Sequence, residues 1–174
     1  MPGPVAPDPR DLGGTFRQRV DVPVRVADTD TFDHVNNAVY LTYFEIGRVA
    51  YLEEVTDEGL PVPAFGARVS YILAEARVAF RSPAVYGEIL TVETRVARIG
   101  RTSLTMDHRI TAPARGDETG PGRLVATGET VLVRYDYAAA AATPLEARLV
   151  SAMEAFEGRP LQRQPPSPGR TAGG

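Results

Sequence analysis

The chain has 174 residues, a net charge of −3, no cysteine, and 19 basic residues that are all arginine. Disulfides, a thiolate nucleophile, zinc sites built on sulfur and Schiff-base chemistry through lysine are therefore excluded, and a reducing compartment is the simpler expectation. Charges of both signs are intermixed, which removes the sustained basic field that phosphate backbones need, so nucleic acid is not an expected partner.

The length suits one domain with a sizeable core. No apolar run approaches the roughly 20 residues that span a bilayer, so no membrane partner is expected. The first residues, MPGPVAPDPRDLGG, lack the regions of a secretory signal, and the expected location is cytoplasmic. Residues 1–14 and 158–174 are rich in proline and glycine and poor in apolar side chains. Both are expected to be flexible tails around a single domain at 15–157, because neither can offset its ordering entropy by burial.

In chain order, the β-branched residues from Phe16 to Val26 predict a first strand, with Pro23 placing part of it at an edge or bulge. A polar loop follows. Residues 38–54 form the strongest helix candidate, about 25 Å long at 1.5 Å per residue. Val39, Leu41, Phe44, Ile46, Val49 and Leu52, with tyrosines at 40, 43 and 51, predict a helix buried on most sides. After a Gly/Pro break at 59–63 come four predicted strands, about 65–80, 88–99, 102–112 and 123–136. Leu90, Val92, Thr94 and Val96 share one face, as do Leu104, Met106, His108 and Ile110, the pattern of an antiparallel sheet covered on one side. A short helix is predicted at about 144–157. The order gives an α+β fold, one helix against one sheet of about five strands.

The loop before the helix reads Asp30-Thr-Phe-Asp-His34-Val-Asn-Asn37. It brings a carboxylate, an imidazole and two amides to a helix start, where backbone N–H groups lack intrahelical partners and can hold an oxyanion. Asp30 would attack a carbonyl or deprotonate a water that does so, and the residues leave these two roles open. Asn36 and Asn37 are also ordinary helix caps. His34 either positions the loop or takes part in the chemistry, and His108, on an apolar strand face, reads as core. Glu45 and Arg48, at i and i+3 of the helix, read as a buried pair. Asp28 and Asp33 read as loop-solvating. Ser70 and Ser103 lie in no recognisable nucleophile turn, and two scattered histidines do not make a metal site.

Taken together, Asp28-Thr-Asp30, His34-Val-Asn-Asn37, Tyr40-Leu41, Phe44-Glu45, Arg48 and the turn Pro83-Ala-Val-Tyr-Gly-Glu88 resemble the hotdog fold, in particular the 4-hydroxybenzoyl-CoA thioesterase-like group. The resemblance covers roughly residues 15–137. It implies a sheet wrapped around the helix and hydrolysis of an acyl-CoA thioester without a cofactor. It makes Asp30 the active-site carboxylate, and Asn37, seven residues later, the backbone donor to the thioester oxygen; because some hotdog thioesterases take their carboxylate from the helix, it leaves Glu45 as the reserve catalytic carboxylate. The His-Val-Asn-Asn run is also similar to that of plant acyl-ACP thioesterases, from which His34 inherits a contributing role. Those enzymes carry asparagine where this chain has Phe32, and many relatives carry glycine where it has Asp33.

The resemblance further implies a homodimer or a tetramer of dimers with sites at the seam. Asn36 would support the oxyanion site, Phe32, Tyr40, Tyr43 and Phe44 are acyl-slot candidates that also suit core packing, and Arg98 and Arg101, with Arg68 and Arg81, are candidates for coenzyme A phosphates. Two other functions fit the same frame: a hydratase or dehydratase acting on an enoyl or hydroxyacyl thioester, and a non-catalytic acyl-CoA-binding protein.

Overall fold

The structure is a computed structural model that describes residues 12–55, 69–114 and 122–163. Its elements run β1 (Gln18–Pro23), a 3-10 turn (Val26–Asp28), α1 (Val39–Val55), β2 (Val69–Phe80), β3 (Ile89–Ile99), β4 (Ser103–Ala112), β5 (Arg123–Asp136), β6 (Ala141–Ala142), α2 (Ala147–Glu157) and β7 (Gln162–Arg163). The five long strands form one antiparallel sheet in the order β1-β3-β4-β5-β2. Two short strands extend it, β6 against β5 and β7 parallel to β3. Among the described residues the sheet curves over one face of the long helix α1, the hotdog arrangement.

Alternation positions the core as expected. Leu90, Val92, Thr94 and Val96 on β3, and Leu104, Met106, His108 and Ile110 on β4, are all fully buried beneath α1. The helix comes very close to the sheet because small residues allow it. A Cβ on Gly47 would overlap the Thr94 hydroxyl, and one on Gly128 of β5 would overlap the Phe44 ring and lie 2.6 Å from the Arg77 carbonyl oxygen. Pro23 closes β1, an edge strand where a missing N–H is tolerated.

Three expectations change. α1 is not buried on most sides: Tyr40, Tyr43, Phe44, Gly47, Arg48, Tyr51 and Val55 form one buried stripe, while Leu41, Thr42, Glu45, Glu53 and Glu54 are exposed. The sheet of one chain covers only one side of the helix. The first strand is also shorter than Phe16–Val26, since Val26 to Asp28 turn into the 3-10 segment.

Residues 158–163, assigned by composition to the tail, are packed. Leu161 is buried in the cluster around Tyr51 and Met153, Arg159 Nη2 donates to the Val96 carbonyl oxygen at 2.8 Å, and β7 pairs with β3. A single apolar side chain and a backbone pairing hold this stretch, and composition registers neither. The Gly/Pro break at 59–63, the start of the second predicted strand at 65–68 and Arg68 lie outside the described residues.

Candidate active site

The loop from Asp28 to Ala38 is built from the bottom by Asp28. Its carboxylate is almost fully buried, at 2% exposure. It accepts from the Arg25 backbone N–H at 2.8 Å, from Arg25 Nη2 at 2.7 Å and from the Tyr43 hydroxyl at 3.2 Å. The Arg25 guanidinium holds the Asp28 carboxyl below its usual range against the opposing effect of burial, and burial together with Asp28 pushes the Tyr43 phenol up. Asp28 is therefore an anchor that joins the strand exit to the helix, and not the loop-solvating residue expected from sequence. Its spacing three residues after Arg25, with Arg25 at a cap position, was the available signal.

The rest of the loop is a tight hairpin. The Asn36 N–H donates to the Asp28 carbonyl oxygen at 2.9 Å, Thr29 and Val35 form a bridge, and the Asp30 N–H donates to the His34 carbonyl oxygen at 3.0 Å. The Asp33 N–H donates to the Asp30 carbonyl oxygen at 3.2 Å, and Asp33 itself has φ 62. That left-handed backbone explains why glycine suits the position, and Asp is among the few other residues that tolerate it. The Val35 N–H donates to the Ala84 carbonyl oxygen at 2.8 Å, fastening the hairpin to the turn between β2 and β3. That turn is itself held by Arg123, which pairs with Glu88 and donates to the Pro83 carbonyl oxygen.

At the helix entrance the Asn36 side chain accepts from the Ala38 N–H at 2.9 Å, and its carbonyl oxygen accepts from the Val39 N–H at 2.9 Å. The amides of residues 35, 36, 38 and 39 thus have acceptors, and among the described residues the Asn37 N–H has none. Asp30 stands at the other side of the hairpin, its side chain 25% exposed. Oδ1 accepts from the Phe32 N–H at 2.9 Å and lies 3.7 Å from His34 Nδ1, too far for a hydrogen bond. His34 is half-exposed and stacks on Phe32, whose ring is 75% exposed. Asp30, Phe32 and His34 are therefore clustered at the hairpin tip, with the exposed Asn36 and Asn37 following at the helix entrance.

Other candidates fall elsewhere. Tyr40 is a core residue at 3% exposure, set edge-on against Tyr43 and Phe80, with its phenol pushed up by burial. Tyr43 and Phe44 are likewise core residues. Of the two readings open from sequence, acyl slot and core packing, the structure gives core packing at all three. Arg98 pairs with Glu129 at 2.7 Å, and Arg101 is exposed in the turn after β3. Both lie at the far end of β3 from the turn that holds the hairpin, about 30 Å away at 3.3 Å per residue, so within one chain they do not join this site. Arg81 is exposed beside the turn that holds the hairpin.

Glu45 is exposed, and among the described residues it forms no ion pair with Arg48, contrary to the expected buried pair. A side chain at the rim of the helix has water as its competing partner. His108 is buried, its ring between the Thr94 and Thr130 hydroxyls at 3.2 and 2.8 Å and stacked on Phe44 at 4.5 Å. Burial, reinforced by the Arg48 charge, holds it well below the ordinary histidine range, so it is a neutral core residue. Among the described residues no three His, Asp or Glu side chains are grouped to hold a metal ion, and no helix is long and apolar enough to cross a membrane.

The family model of the thioesterase-like superfamily matches residues 24–153, most of the chain. The chain belongs to this superfamily. Among solved structures, the thioesterase-like chain is similar to a Thermus thermophilus thioesterase that was crystallised with coenzyme A and Zn, at 33% identity and a TM-score of 0.69, covering 84% of this chain and 98% of that one. It is also similar to PA2801, a putative thioesterase from Pseudomonas aeruginosa, at 28% identity and a TM-score of 0.66, covering 79% and 98% of the two chains. A third relative is the chloroplastic acyl-acyl carrier protein thioesterase ATL3 of Arabidopsis thaliana, 31% identical over 91 residues, or 52% of this chain. The chain spans about half the length, 47%, of that curated relative.

Proposed function

We propose that the protein is a cytoplasmic acyl-CoA thioesterase that hydrolyses R–CO–S–CoA to a free acid and coenzyme A without a cofactor. The observation that supports this most is that one loop carries both a partly exposed Asp30 carboxylate and, at the helix entrance, an Asn37 amide that has no acceptor among the described residues. Asp30 drives addition to the thioester carbonyl, as nucleophile or as base toward water. The oxygen gains negative charge against the Asn37 N–H at the positive end of α1, a donor of a kind worth about 3–4 kcal/mol of barrier. The tetrahedral species collapses with cleavage of the C–S bond, and the thiolate leaves. If Asp30 is the nucleophile, water then cleaves the mixed anhydride and restores the carboxylate.

Carboxylates in general are weak bases toward water, so positioning against the electrophile carries much of the effect. Asn36 holds the entrance amides in place, and His34 and Phe32 border the carboxylate. Coenzyme A is favoured as carrier because the Thermus relative was crystallised with it. The working assembly is a dimer or a tetramer of dimers, in which a second subunit covers the α1 face that its own sheet leaves exposed and supplies the cationic groups that Arg98 and Arg101 do not provide within one chain.

The test is release of free thiol from acyl-CoAs of graded length and aromaticity. Asp30→Asn and Asp30→Ala are expected to lower kcat by about 10²–10⁴ with folding intact. Full activity in both, together with an inactive Glu45→Gln, would move the catalytic carboxylate to the helix. Loss of an enoyl-CoA double bond without thiol release would replace hydrolysis with hydration.

A further inference from the structure

A cavity of about 620 Å³ opens between the C-terminal half of α1, the first residues of β2, β5 and the start of α2. It is not lined by Asp30, His34, Asn36 or Asn37. Arg48 lies 11 residues beyond Asn37, about 16 Å along the helix, so this is a place separate from the hydrolytic hairpin. The wall is mainly apolar, with Val49, Leu52, Leu132 and Leu149 prominent.

Five charged residues also stand on that wall, Glu45, Arg48, Arg134, Glu146 and Arg148, and of these only Arg48 is buried. The residue is only 8% exposed, and its Nη1 is buried with no hydrogen-bond acceptor among the described residues. The other charged groups on the wall do not supply one. Arg134 is bound to Glu146 and to the Pro144 carbonyl oxygen, Glu45 is exposed and acts on Arg48 only through space, and Arg148 is a cation. A guanidinium is always charged, and burying it without an acceptor is costly. A chamber with an apolar stretch of wall and one buried guanidinium that keeps an unsatisfied nitrogen is complementary to a ligand with a hydrocarbon body and one anionic end.

We propose that this cavity binds an apolar carboxylate, whose carboxylate pairs with the Arg48 guanidinium and whose hydrocarbon lies along Val49, Leu52, Leu132 and Leu149. Two sources present that chemistry: a free medium-chain acid, and the far carboxyl of a dicarboxylic acyl thioester reaching along α1. The second source rests on the thioesterase reading, and the first does not.

The test titrates octanoate, with octan-1-ol as the uncharged control, into the full chain by calorimetry. Wild type is expected to bind one octanoate per chain at least tenfold more tightly than octanol. Arg48→Met should abolish that preference, and Arg48→Lys should retain part of it, so that a poorly folding methionine variant does not leave the result open. The same preference in Asp30→Asn separates this site from the hydrolytic one, and the titration reads out even if no thioester is hydrolysed.

To distinguish the sources, thiol release is compared for dodecanoyl-CoA and the mono-CoA thioester of dodecanedioic acid. A tenfold rise in KM for the diacid alone in Arg48→Lys identifies the acyl end, and unchanged KM values identify the free acid. Equal binding of octanoate and octanol to wild type would overturn the proposal. So would an undiminished preference in Arg48→Met, including the case where that variant changes the sedimentation coefficient because Arg48 faces another copy of the chain.

Discussion

His108 offers a quantitative test of how α1 is seated on the sheet. The ring is fully buried between Thr94 and Thr130, under Phe44, with its proton affinity pushed well below the ordinary value of 6.5. In the unfolded chain the same ring takes a proton near pH 6.5. Above that pH both states hold it neutral, and it contributes no pH dependence. Below it the unfolded state binds one proton that the folded state refuses, so stability falls as the pH falls, by about 1.4 kcal/mol per unit. Between pH 7 and pH 5 the loss attributable to His108 is about 2 kcal/mol.

Replacing the ring by His108→Gln removes this linkage while keeping a polar group between the two hydroxyls. The variant is expected to be less stable than wild type at pH 7, by about 1–3 kcal/mol for imperfectly matched buried hydrogen bonds. That deficit should shrink by about 2 kcal/mol by pH 5, because only wild type pays the proton penalty. Urea unfolding at pH 5.0, 5.5, 6.0 and 7.0, followed by circular dichroism, measures both curves. Parallel dependence of the two on pH would show that the ring is protonated or reached by water in the folded protein, and would refute the seating described here.

Asp28→Asn should lower the melting temperature by several degrees at pH 7. Because the folded carboxyl is held below 3.8, Asp28 contributes stability that is present above that value and lost as the pH falls through the folded one, so the gap between variant and wild type should narrow progressively as the pH is taken below 3.8. Gly128→Ala forces a methyl into the Phe44 ring and against the Arg77 carbonyl, and should cost about 2–3 kcal/mol in urea unfolding. Asp33→Ala, at a left-handed position, should cost about 1 kcal/mol, while Asp33→Gly is neutral or mildly stabilising. Equal effects of those two substitutions would remove the backbone argument.

Most of the fold was legible because its signals are local. Alternating side chains on β3 and β4 identified the covered face to the residue, since a strand places every second side chain on the same side. The hairpin before α1 was legible as a site because it concentrates polar residues where a helix must begin. Arg48 was misread as half of an ion pair: i, i+3 spacing says that two side chains can meet, and does not say that one of them turns inward. Asp28 was underrated because a buried acid and a solvated one look alike until the tyrosine fifteen residues later is brought against it.

The amino-acid order by itself determined the number and kind of long elements, the buried faces of the sheet, and the group of residues at the entrance to α1, because each depends on periodicity or capping within a few residues. Only the tertiary structure decided which amide at that entrance stays without an acceptor, which tyrosines are core, and that Arg48 lines an apolar chamber. Those outcomes depend on contacts between segments far apart in the chain, where burial and the supply of acceptors are settled by packing rather than by neighbouring residues.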